Sequence, residues 1–143
     1  MAIRYYNDDT TYKFKNRRII SAWLQEVAQG EGYEVADINI IFCSSSRHRA
    51  MNVEFMQHDY FTDILTFDQS DLEQGYVAGE LYIDVDTVAD NAKQYDTASS
   101  PLREMHRVVV HGVLHLCGQG DKTPEDEKMM HEKEDRALAI LSI

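Results

Sequence analysis

The sequence predicts an α+β fold, one central sheet of about four strands with helices packed on it. Three observations lead there. Short apolar runs bounded by turn residues are mixed with stretches of 3.6-residue periodicity, without the strict strand–helix alternation of a parallel α/β protein. Two cap-then-proline signals, Ser100-Pro101 and Thr123-Pro124, mark helix starts late in the chain. The length of 143 residues is that of one ordinary domain, so residues 1–143 are read as a single domain.

Ile3 to Tyr6 is an apolar and aromatic run that suits an opening strand, closed by the turn residues Asn7-Asp8-Asp9-Thr10. From about Asn16 the spacing becomes helical: Ile19, Ile20, Trp23, Leu24 and Val27 share a stripe, and Gly30 and Gly32 supply the stop. Ile38, Ile40 and Phe42 form a second strand, and Ser44-Ser45-Ser46 offers N-cap oxygens to a helix from about Arg47 to Met56. Ile64-Leu65-Thr66-Phe67 reads as a third strand. Gly79 through Val85 reads as a fourth, reached through the polar stretch Asp68 to Gly75 in a hairpin-like connection. A short helix over Asp86 to Tyr95 follows. The next helix runs from Pro101 to about Cys117, stopped by Gly118 and Gly120. The last begins at Thr123-Pro124-Glu125-Asp126, with acidic residues where the helix dipole favours them, and runs nearly to the C-terminus.

A formal charge of -11 argues against indiscriminate nucleic-acid binding, which needs clustered Lys and Arg. The deficit is uneven. Residues 1–58 hold seven of the fourteen Lys and Arg and seven of the twenty-five Asp and Glu, so residues 59–143 carry all of it. That leaves room for local basic clusters at Lys13, Lys15, Arg17 and Arg18, and at Arg47, His48 and Arg49. No apolar stretch approaches the roughly 20 residues of a membrane span, and the first residues lack a secretion-signal layout. A cytoplasmic protein is expected, with Cys43 and Cys117 as free thiols rather than a disulfide.

The sharpest chemical feature is His111-Gly112-Val113-Leu114-His115, in the most apolar part of the Pro101 helix. Residues four apart project from one helical face, so both imidazoles reach toward one ion. A catalytic zinc site uses three protein ligands and keeps a position for water. Gly118 can reverse the chain after the helix, and Asp121, three residues on, can then swing back as a third ligand. His131 and His106 are its rivals. The spacing resembles the metzincin signature, except that Gly112 stands where a metzincin carries its general-base glutamate.

His111-Gly112-Val113-Leu114-His115-Leu116-Cys117-Gly118 resembles residue by residue the hallmark of the YbeY endoribonucleases of ribosomal RNA maturation, His-Gly-x-Leu-His-Leu-x-Gly, which ends in a third histidine three residues later. Thr62-Asp63-Ile64-Leu65-Thr66-Phe67 is similar to the family's Thr-Asp-Val-Leu-Ser-Phe, and Gly79-Glu80-Leu81-Tyr82-Ile83 to its Gly-Asp-Ile strand. The resemblance implies a zinc-dependent, single-strand-specific endoribonuclease acting in ribosomal RNA processing. One Zn2+ would be held by His111, His115 and Asp121 with a water bound to it, and the attacking oxygen would be either that water or the ribose 2′-hydroxyl of the RNA. The partners implied are single-stranded RNA and ribosomal proteins, with no membrane.

Two positions depart from the family. Asp121 replaces the third histidine, adding negative charge and making a bound water less acidic. Met56 stands where many members have an arginine thought to contact the substrate phosphate, so His58, Arg47, Arg49 or Arg107 is expected to supply that charge. Arg107 lies one turn before His111 on the same face. Glu80 is either a partner for a ligand imidazole or a solvent-facing charge, and Cys117 a buried thiol off the metal side. Asp63 reads as a turn cap, and Glu127, Lys128 and Glu132 as a solvated face. A zinc peptidase, or a non-catalytic metal-containing factor on the ribosome, are the competing functions.

Overall fold

The computed structural model describes residues 2–56, 63–95 and 100–143. Among these, four strands form one sheet, β1 (Ala2–Asn7), β2 (Glu34–Cys43), β3 (Ile64–Asp68) and β4 (Tyr76–Asp84), in the order β1-β2-β4-β3. The helices are α1 (Arg17–Gly30), α2 (Ser45–Met56), α3 (Val85–Tyr95), α4 (Pro101–Leu116) and α5 (Pro124–Ile140). The expected α+β architecture is therefore observed. β1, β2 and β4 run parallel, and β3 closes the sheet antiparallel to β4, as the hairpin-like connection implied.

β2 and β4 start earlier than their apolar runs suggest, at Glu34 and Tyr76 rather than Ile38 and Gly79. They pair with each other in the middle of the sheet, and backbone hydrogen bonding carries both strands into their polar ends. One sheet face, with Ile38, Ile40 and Phe42 from β2 and Val77, Leu81 and Ile83 from β4, is fully covered. Ile20, Trp23 and Leu24 of α1, Val109, Val113 and Leu114 of α4, and Met130 and Leu138 of α5 complete this core. The Trp23 Nε1 donates to the Ala137 carbonyl at 2.8 Å, tying α1 to α5. No helix among the described residues is long and apolar enough to cross a membrane.

Two glycines set how closely α4 approaches the strands. A Cβ on Gly112 would lie 2.8 Å from Ile64 Cδ1 and 2.9 Å from Leu81 Cδ1. A Cβ on Gly79 would lie 2.4 Å from the Phe67 carbonyl oxygen and 3.0 Å from Leu116 Cδ2. The helix thus rests its glycine on the sheet beside β3, which places the residues flanking Gly112 along that strand.

Candidate metal centre

α4 begins where the cap signal put it: the Ser100 hydroxyl accepts from the Arg103 N–H at 3.1 Å, and Pro101 occupies the first turn. It ends at Cys117, after which Gly118 takes φ 94°, a left-handed conformation that suits glycine. The N–H groups of Gly118 and Gln119 donate to the carbonyls of His115 and Leu114 at 2.9 and 3.0 Å, and the chain doubles back. Asp121 consequently returns to the imidazoles of the helix it has just left.

The His111 and His115 rings stand edge to face with centroids 4.6 Å apart. Asp121 Oδ2 lies 3.4 Å from His111 Nε2 and 3.2 Å from His115 Nε2. A tetrahedral zinc with bonds of about 2.0–2.1 Å holds its ligand atoms roughly 3.3 Å apart, so the donor set fits such an ion in both chemistry and spacing. The three donor atoms lie within 4.8 Å of one another. They open onto a cleft of about 570 Å3 lined also by Asp63, Ile64, Thr66, Asp68 and Lys122.

The other nitrogen of His111 is held from α5. Glu134, 2% exposed, accepts from His111 Nδ1 at 2.6 Å through one oxygen and from an Arg107 terminal nitrogen at 3.0 Å through the other. Burial works to raise the Glu134 carboxyl, but the hydrogen bonds and charges of His111 and Arg107 outweigh it and hold the group below its ordinary value. A carboxylate can only accept, so in the neutral form of His111 the proton belongs on Nδ1, which leaves the Nε2 lone pair toward Asp121. Two acceptors facing each other call for a cation between them, a proton or a metal ion. Burial opposes charge on His111, yet Glu134, Asp63 and Asp121 together raise its pKa.

Each residue singled out in the sequence has a definite place. His131 is 62% exposed, with Nδ1 3.6 Å from Glu134 Oε1, and His106 is buried with its ring edge-on to Phe14 and Trp23. Neither joins the cluster. Arg107 points both terminal nitrogens at acids, the second reaching Asp135 at 2.8 Å. Arg47 bonds Asp8 at 3.0 Å, and Arg49 lines a different hollow with Ser45, Ser46, Ala50 and Val53. His58 lies outside the described residues. Burial pushes the thiols of Cys43 and Cys117 up to about 12, as suits unreactive core groups.

Three residues of this region had no role assigned from the sequence that matches their place. The partner of the His111 imidazole is Glu134, and not Glu80. Its signal was its position: it falls on the stripe Met130, Ala137 and Leu138 that α5 buries, an odd place for an acid. Lys122 is the cation that lines the cleft among the described residues. Asp63, read as a turn cap, lines it too, and burial raises its carboxyl against the attraction of His111.

The model of the family described as endoribonuclease YbeY matches residues 3–142. The endoribonuclease YbeY of Parabacteroides distasonis is 43% identical over 99% of this chain and 96% of its own length. That of Cytophaga hutchinsonii is 42% identical over 96% and 94%. The solution structure of TM1509 from Thermotoga maritima superposes with a TM-score of 0.65 at 27% identity, covering 96% of this chain and 87% of that one.

Proposed function

This chain belongs to the endoribonuclease YbeY family, and on that premise we propose that it is a zinc-dependent, single-strand-specific endoribonuclease of ribosomal RNA processing and ribosome maturation. The observation that carries the metal dependence is the convergence of His111 Nε2, His115 Nε2 and Asp121 Oδ2 at ligand spacing beside an open cleft. When bound, a zinc ion supplies Lewis acidity toward a phosphoryl oxygen and toward water.

The protein's own groups do the rest. Lys122 offers a positive charge to a substrate phosphate in the cleft, the task that the family arginine leaves open at Met56. Asp63 faces the same space, and burial raises its carboxyl above the ordinary value against the attraction of His111. An RNA single strand suits an open cleft that has room for a turned-out nucleotide. Asp68 and Asp121 repel phosphate, which makes binding depend on the cation that the ligands gather.

The peptidase reading loses ground to geometry. A general base at position 112 would have to grow from a Cα whose Cβ direction is filled by Ile64 and Leu81. The test is cleavage of matched single- and double-stranded RNA by protein stripped of metal and then given zinc. Restoration by zinc on the single strand, absent in Asp121→Ala, is the expected result. Equal cleavage in chelator, or none with any divalent ion, overturns the proposal.

A further inference from the structure

We propose that Glu134 is a positioning residue of the metal centre: by accepting the Nδ1 proton of His111 while Arg107 locks its second oxygen, it dictates which ring nitrogen is left to bind a metal. The inference rests on the metal reading above and adds to it a residue from a different helix. Three observations support it. The carboxylate is 2% exposed, so water does not compete for its oxygens. Both oxygens are committed, at 2.6 Å to His111 and 3.0 Å to Arg107, which leaves it no freedom to turn. Arg107 is itself anchored on its other side by Asp135 at 2.8 Å.

The chemistry follows from donor counting. An arginine at this site is always a donor, and a neutral imidazole has one N–H and one lone pair. Facing a carboxylate oxygen, the imidazole must put its N–H on Nδ1, and the lone pair is then on Nε2, toward Asp121. No described residue hydrogen-bonds Nδ1 of His115, so that ring lacks the constraint and serves as an internal control. A carboxylate behind a ligand histidine also strengthens the imidazole as a donor.

Glu134→Gln makes the test sharp because it changes shape very little. Glutamine has one acceptor oxygen where two donors arrive. Arg107 takes it, and the amide NH2 faces Nδ1 and moves the ring proton to Nε2, the metal-binding atom. Glu134→Leu removes the constraint altogether and serves if the glutamine variant folds poorly. The measurement is the 15N spectrum of the histidine rings in metal-free protein at a pH where His111 is neutral, with zinc affinity from chelator competition.

In the wild type, His111 is expected as the Nδ1–H form. Glu134→Gln shifts it to the Nε2–H form, Glu134→Leu yields a mixture, and His115 does not change. Zinc affinity falls about 10–100-fold in both variants. An unchanged His111 tautomer overturns the proposal, as does a switched tautomer with zinc affinity equal to the wild type. A wild type that binds no zinc while the tautomers switch as expected defeats the metal reading and upholds the control of the ring by Glu134.

Discussion

Replacing Arg107 with methionine separates two roles that the position of this residue suggests, contact with substrate phosphate and support of Glu134. The structure assigns it the second. Glu134 is a buried carboxylate with two strong donors, and the variant removes one of them. A charged hydrogen bond to a group this deep is worth about 2–3 kcal/mol, and stranding a buried ion costs more, so the loss comes to about 2–4 kcal/mol. The second contact of Arg107, to Asp135, is 66% exposed on the acid's side and contributes at most about 1 kcal/mol. At roughly 4 °C per kcal/mol for a chain of this size, Tm falls by about 8–16 °C. Thermal and urea unfolding of metal-free Arg107→Met, with Asp135→Asn as the control, measures this. A variant no less stable than Asp135→Asn that binds zinc normally but binds RNA weakly would refute the reasoning and return Arg107 to the substrate.

Other substitutions report on the scaffold and the cleft. Gly79→Ala drives a Cβ to 2.4 Å from a backbone oxygen that cannot rotate away, so stability drops by about 3 kcal/mol or more by denaturant titration. Gly30→Ala, where the added Cβ meets nothing within 4 Å, should be neutral or stabilising by up to about 1 kcal/mol in the same titration. Lys122→Ala weakens RNA binding and lowers the slope of log affinity against log salt by about 0.7, the loss of one phosphate contact on a single strand. In metal-free protein the His111–Glu134 pair adds pH dependence. The folded pKa of His111 is raised, so its contribution is complete below the unfolded value of 6.5 and fades as pH rises through the folded value. That of Glu134 is lowered, so its contribution holds above 4.5 and is lost as pH falls through its folded value. The Tm difference between wild type and His111→Ala should therefore be greatest between these limits and shrink on both sides of them.

What the sequence disclosed about the site is what one helix and its exit turn determine. His111 and His115 are four residues apart, Gly118 must reverse the chain, and Asp121 follows at a fixed distance, so local geometry alone brings the three together. Glu134 reaches the same place from α5, and no local rule links it to His111, 23 residues earlier. Its acidic neighbours Glu132 and Asp135 disguised it as part of a solvated face. Arg107 was correctly put on the face of His111, but the acids that occupy it also come from α5. The strands were visible as apolar runs, whereas their order β1-β2-β4-β3 was not. Parallel pairing joins residues such as Ile38 and Gly79 that are far apart in the chain, and apolar periodicity is silent about which strand neighbours which.

The most direct test of the metal centre is the zinc bound by purified protein after metal stripping and reloading, in wild type and in His111→Ala, His115→Ala and Asp121→Ala, with unfolding curves recorded on the same samples. The three-ligand site predicts one equivalent in the wild type and none held tightly in any of the three folded variants. Full zinc in Asp121→Ala, or none in the wild type after reloading, would contradict it.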